Sequence, residues 1–272
     1  MTNKNEVAET SNNFPTEMPA FLRNQGAGRG NEDVTIEDVA VPRISMLQDK
    51  SPQCKKTKDE YIEGAEPGMA YNTASQKLYG HELLIVPVYF RKEYLLWKHT
   101  DFGGGFKGSF PTMAEAEAAR HALGNTKEGE KPENPAEYDS IETAQHFVLV
   151  VDAQGNVLED AVISMAKSQL KASRSLNTQV KIGGGDRFSR VYKLRVVEVI
   201  NANNQDYFNW AVTGQSYVNE PTFKAAEAMY ESVKTGVRDV KMTVDTETGE
   251  IKPAREVDPF TENTGSDEVD QF

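Results

Sequence analysis

The chain has 272 residues, 38% of them hydrophobic and 26% charged, with a formal net charge of −12. A single cysteine, Cys54, excludes a disulfide framework or a cysteine-based zinc site within the chain. No run of about 18 apolar residues is present, and Met1 to Asn13 is polar without the apolar stretch of a signal peptide, so a soluble protein of a reducing compartment is expected.

Residues 1–35 are rich in Asn, Glu, Thr and Gly and read as a flexible arm, with a small apolar island at Met18 to Leu22. The folded region is expected over 36–240. Val41 to Leu47 alternates and suggests a strand. Leu83 to Phe90 and Tyr94 to Lys98 read as the two strands of a hairpin. Pro87 lacks an N–H for the ladder, which predicts an edge or a bulge there. Residues 103–140 read as an insertion. It opens on the mobile triplet Gly103-Gly104-Gly105 and holds a helix over Met113 to Leu123, with Thr112 as N-cap and Glu115 completing a capping box.

His146 to Val151 is a strong strand, Asp152 to Asn156 a turn, and Val157 to Ile163 the returning strand. Ser164 is expected to cap a helix reaching about Asn177. Arg190 to Ile200 and Tyr207 to Thr213 form a hairpin across a turn at Asn201 to Gln205. A last helix spans Glu220 to Lys234, after Asn219 and Pro221. The expected class is mainly β with flanking helices (α+β). A five-stranded Greek-key barrel of the OB type carries its helix between the third and fourth strands, and the helix after Ser164 occupies that slot.

Catalytic signatures are missing. The glycine triplet Gly183-Gly184-Gly185 is followed by Asp186-Arg187 and not by the Lys-Ser or Lys-Thr of a phosphate-binding loop. The four histidines are scattered, Cys54 has no evident histidine partner, and no pair of carboxylates stands out as a metal site. The reading is a non-enzyme without cofactor or metal.

Charge is placed unevenly. Between Ala161 and Val197 stand eight basic residues and one acid, Asp186. Lys167, Lys171 and Arg174 fall at i, i+4 and i+7, on one helix face. Lys193 and Arg195 share the strand face opposite Tyr192 and Leu194, together with Arg187. With Lys181 these residues make a candidate track for phosphates. Trp97, Phe106 and Phe188 lie beside glycine- or charge-rich stretches and are the candidate stacking platforms for unpaired bases, each worth roughly 1–3 kcal/mol. A solvated helix face and ordinary core aromatics are the plainer alternatives.

Residues 241–272 are expected to be a disordered acidic tail. From Asp245 to Phe272 it carries nine acidic and two basic residues. Such a segment buries too little apolar surface to offset the entropy of ordering. It ends Asp267-Glu268-Val269-Asp270-Gln271-Phe272, an acidic run closed by an aromatic beside the free carboxylate.

That ending resembles the tail of bacteriophage-type single-stranded DNA-binding proteins, which join an OB core to an acidic tail ending in an aromatic. Asp267, Glu268, Asp270 and Phe272 match the pattern, although Val269-Asp270-Gln271 replaces the Pro-Phe ending of many bacterial members. The resemblance implies binding and protection of single-stranded DNA in replication, recombination or repair, in the cytoplasm of the host cell. It also implies that the tail recruits a polymerase, helicase or primase, or nuclease. No membrane partner is expected, and a homo-oligomer is left open. Two other readings remain: a protein-interaction module, such as a nucleic-acid mimic, host-enzyme inhibitor or assembly factor, and a single-strand annealing protein. Removing residues 245–272 is expected to tighten binding of oligo(dT) in a fluorescence titration, because it removes an intramolecular polyanion. Unchanged or weaker binding would contradict the tail's shielding role.

Overall fold

The computed structural model describes residues 42–124, 133–200, 204 and 206–235, together with the backbone of 242–244 and 251–253. Its elements are mainly β. Three short strands, β1 (Ile44–Met46), β2 (Ala70–Asn72) and β3 (Leu78–Gly80), form a small antiparallel sheet in that order. The main sheet is built from β4 (Glu82–Lys98), β5 (Gly105–Phe110), β6 (Tyr138–Val151), β7 (Val157–Ala166), β8 (Arg190–Ile200) and β9 (Asp206–Tyr217). Its order is β7-β6-β4-β8-β9, with β5 also paired to β4. The helices are α1 (Met113–Ala122), α2 (Leu170–Gly183) and α3 (Glu220–Lys234). A hairpin of β10 (Met242–Val244) and β11 (Ile251–Pro253) follows, at the start of the expected acidic tail.

One strand replaces the expected hairpin of residues 83–98. Arg91, Lys92 and Glu93 look like a polar turn, but they contain none of the Gly, Asn or Asp that a tight turn requires. They stay extended and pair in unbroken register with Gln145, Ala144 and Thr143 of β6. The irregularity expected at Pro87 is present as a register shift between Pro87 and Tyr89, in a central strand and not at an edge. The insertion is also more ordered than expected. Gly105 opens β5, which pairs back onto β4, and Thr112 accepts from the Glu115 N–H at 3.2 Å as the capping box requires. Residues 125–132 of that insertion lie outside the described residues.

Both faces of the main sheet are covered. Leu83, Ile85, Val148, Ile163, Leu194 and Trp210 pack with Ala172 and Leu176 of α2. Val86, Val88, Phe147, Leu149 and Val191 pack with Met229 and Val233 of α3. Burial on both faces explains why β6 reads as a continuous apolar run and not as an alternation.

Ser164 does not cap α2. It remains in β7, where its hydroxyl donates to Gln145 Oε1 at 2.6 Å, and the helix starts after one 3₁₀ turn at Lys167–Gln169. The helix passes Asn177 and stops at Gly184, whose φ of 67° a side chain would resist. α3 spans the expected residues and is capped by Asn219, whose Oδ1 accepts from the Thr222 N–H at 2.9 Å, with Pro221 in the first turn.

The end strands β7 and β9 are not joined by a ladder among the described residues. The segment 42–48 runs between them. Val162 N–H of β7 donates to Pro42 O at 2.8 Å. At the other end the Gln48 amide accepts from Phe208 N–H at 2.9 Å and donates to Phe208 O at 3.2 Å, substituting for a neighbouring strand of β9. Further along β9, Gln179 of α2 does the same for Gly214 N–H at 2.9 Å and Val212 O at 3.0 Å. Two glutamine side chains thus satisfy an edge that would otherwise expose its backbone.

Candidate nucleic-acid interface

α2 is amphipathic. Ala172, Ser173 and Leu176 are buried against the sheet, while Lys171, Arg174 and Lys181 are exposed, and Lys167 is exposed in the turn before it. From Lys171 to Lys181 the helix axis rises about 15 Å. None of these four cations forms an ion pair with a described residue, whereas Lys92, Lys98, Lys107, Lys193 and Lys224 all do. The helix therefore presents a row of unneutralised positive charge, the arrangement that suits a polyanion.

Arg187 is not part of this row. Its guanidinium is drawn into the interface between α2 and the sheet, where Nη2 donates to Asn177 Oδ1 at 2.8 Å and His146 Nδ1 at 3.1 Å. It also stands over the Phe90 ring, 5.5 Å from the centroid. Burial lowers its pKa to about 10. A guanidinium only donates, so His146 Nδ1 accepts and the ring proton sits on Nε2. Nε2 then donates to Ser173 Oγ on α2 at 2.8 Å. His146 is fully buried, and burial first, then the Arg187 charge, lowers its pKa to about 3. The ring is neutral and ties β6 to α2.

The expected single track is divided. Tyr192 and Leu194 point into the core shared with α2, as the alternation of β8 predicts, so Lys193 and Arg195 lie on the opposite face, the one that packs Val191 against α3. Lys193 is also neutralised by Glu82 at 2.9 Å. Arg190, at the start of β8, stands over the Tyr217 ring at 4.7 Å. The glycine loop joins the two basic segments in sequence but not on one surface.

The aromatic candidates separate as well. Trp97 and Phe106 face each other across β4 and β5, with centroids 5.4 Å apart, and both are half-buried. Phe188 is core: it is 6% exposed and packs its ring 5.0 Å from Phe223 and 5.9 Å from Tyr230 of α3. It is not available for stacking. Asp267, Glu268, Asp270 and Phe272 lie outside the described residues.

Two features had no clear signal in the sequence. Phe102, 52% exposed in the connection between β4 and β5, has its ring 6.2 Å from that of His99. Arg43 sits in an alternating segment that gives no hint of burial, yet it is 2% exposed, and burial lowers its pKa to about 10 against the raising effect of Glu93. Arg43 Nη1 donates to Ser164 Oγ, and the chain of contacts continues through Gln145 to Glu93, which Arg91 holds at 2.7 Å. Among the described residues no cluster of His, Cys, Asp and Glu could hold a metal ion, and no helix is long and apolar enough to cross a membrane.

Residues 7–239 match the family of Pam3 phage gp34-like proteins. The chain belongs to this phage protein family. Searches of curated proteins and of solved structures return no match. The gp34-like region contains the α2 cation row, the Arg187–His146 tether and both faces of the main sheet, and it ends before the terminal acidic run.

The tether has a pH signature. Below its ordinary pKa of 6.5 the unfolded His146 binds a proton that the folded ring, with a pKa of about 3, does not bind. The stability it contributes is complete above pH 6.5 and is lost as pH falls toward 3. Over the first 1.5 units or so that loss is about 2 kcal/mol. Urea unfolding at about pH 7 and about pH 5 is expected to show it. In His146→Gln, which keeps a neutral acceptor for Arg187, the pH dependence should flatten; an unchanged slope would contradict the assignment.

Proposed function

We propose that this protein binds single-stranded DNA without catalysing a reaction on it, serving phage DNA replication, recombination or repair. The observation that carries the reading is the row Lys167, Lys171, Arg174 and Lys181, unpaired with any described acid on a chain whose net charge is −12. In so acidic a protein, four neighbouring cations left without local partners are best explained by an anionic ligand that neutralises them.

The strand order supports an OB-type barrel as the scaffold. Counting β4, β6, β7, β8 and β9 as first to fifth, the first strand pairs with the second and the fourth, and the helix α2 joins the third to the fourth. This is the connectivity of a five-stranded Greek-key barrel left open between its third and fifth strands, a scaffold that binds oligonucleotides. Trp97, Phe106 and Phe102 add ring surface on the β4–β5 hairpin for stacking of unpaired bases. In this reading the acidic tail, through Asp267, Glu268, Asp270 and Phe272, occupies the basic row when DNA is absent and recruits replication or recombination enzymes when DNA displaces it. The strongly acidic total charge also suits a second reading, a module that contacts a host protein directly.

Titration of the full chain with oligo(dT), followed by fluorescence anisotropy at several salt concentrations, separates the two. Saturable binding is expected, with Lys171→Glu plus Arg174→Glu reducing the salt slope by about 1.4, the contribution of two single-strand phosphate contacts. No binding, either by the full chain or after removal of residues 245–272, would reject DNA binding and leave the protein-interaction reading.

A further inference from the structure

The C-terminal end of α2 lies against the start of β8. Gly183 has the Arg190 side chain directly beside it: a Cβ on that glycine would come 3.1 Å from Arg190 Cδ and 3.5 Å from the Tyr192 hydroxyl. Arg190 opens β8 and pairs with Tyr217, the last residue of β9. Its guanidinium lies over the Tyr217 ring, 4.7 Å from the centroid. The path from Lys181 through Gly183 and Arg190 to Tyr217 thus runs from the end of the cation row onto the rim of the sheet.

Strand alternation alone would not place Tyr217 there. Trp210 and Val212 face the core shared with α2, so strict alternation would put Ser216 on that side. The ladder shifts register between Arg190 and Tyr192, and the shift sets Tyr217 opposite Arg190. Irregularities of this kind re-aim a side chain at a sheet margin.

The re-aimed ring is open to solvent. Tyr217 is 70% exposed, whereas Trp97 and Phe106 are half-buried against each other and Phe188 is covered by α3. With the guanidinium over one face, that exposure leaves the opposite face free. Arg190 forms no ion pair with a described residue, and its Nε has no hydrogen-bond partner among them. Its charge therefore continues the unneutralised row of α2. An exposed ring beside a free cation is the pairing that single-strand recognition uses: the ring stacks on a base while the cation meets the phosphate. The stacked guanidinium also holds the ring in place beforehand, which reduces the entropy lost on binding.

Resting on the DNA-binding reading, we propose that Tyr217, backed by Arg190, is the stacking platform for one unpaired base where the strand passes the C-terminal end of α2. The phosphates follow Lys171, Arg174 and Lys181 along the helix and reach Arg190 last.

Fluorescence anisotropy of the full chain with labelled oligo(dT) at low salt tests this. Tyr217→Ala is expected to weaken binding at least about fivefold, the loss of one stacked base, without changing the salt slope. Tyr217→Phe keeps the ring and should bind as the unsubstituted chain does. A fully abasic strand of equal length keeps the phosphates and offers no base, so Tyr217→Ala should cost it nothing. Independently of any variant, an oligonucleotide carrying 5-iododeoxyuridine should crosslink on irradiation to the peptide containing Tyr217, read by mass spectrometry. Equal affinity of Tyr217→Ala for oligo(dT), an equal loss with the abasic strand, or crosslinks that bypass Tyr217 would overturn the platform and leave DNA binding by the helix row standing. If the unsubstituted chain binds neither strand, the DNA-binding reading fails and the platform with it.

Discussion

The geometry of the cation row depends on one buried contact, the guanidinium of Arg187 against the neutral ring of His146. Arg187 can only donate, so it dictates the tautomer of His146, and the remaining ring proton reaches Ser173 on α2. Asn177, one helical turn further on, takes the second hydrogen bond from the same Nη2. Two positions on the inner face of α2 are thereby fixed to β6 and to the loop after Gly185. With Ser173 and Asn177 turned inward, helical periodicity turns Lys171, Arg174 and Lys181 outward. A cation that the composition suggested for binding phosphate serves instead to aim the cations that remain free. Removing either partner leaves a buried polar group of the other unsatisfied, at a cost on the order of 1–3 kcal/mol.

A second constraint is the unpaired edge of β9. An open seam beside a basic helix is an invitation to edge-to-edge association. Gln48 and Gln179 answer it with side-chain amides that copy the backbone pattern of a strand. Gln179 does so from α2 itself, so the helix carrying the cations also protects the sheet edge. The segment with Gln48 closes the other part of the seam.

How much of this was legible in the sequence follows from what periodicity can report. The β8–β9 hairpin, the cap at Thr112, the inward Tyr192 and Leu194, and the shared helix face of Lys171 and Arg174 were all readable, because each is a local pattern; Lys167, expected on that face, stands instead in the 3₁₀ turn before it. The continuity of β4 was not. The triplet Arg91-Lys92-Glu93 has the polarity of a turn, and only its pairing with β6 shows that it remains extended. Phe188 looked available because its sequence neighbours are glycine and charge, but α3 covers it from 35 or more residues away in sequence. Arg187 was misread, and Arg43 passed over, for a related reason. Charge identifies a residue that needs a partner, without saying whether the partner is solvent, a ligand or a buried histidine.

The acidic total and the basic row are compatible once charge is assigned to surfaces. The carboxylates on the main sheet are used locally: Glu82 holds Lys193, Glu142 holds Lys92, and Glu93 holds Arg91. Among the described residues no carboxylate forms an ion pair with the α2 row. The central claim, that this row and not the opposite face of β8 meets nucleic acid, is tested most directly by lysine footprinting with an amine-reactive reagent, read by mass spectrometry with and without oligo(dT). The account predicts protection of Lys167, Lys171 and Lys181, with Lys193 and Lys224 reacting equally in both samples. Protection centred on Lys193, or none at all at the three α2 lysines when the strand is bound, would contradict it.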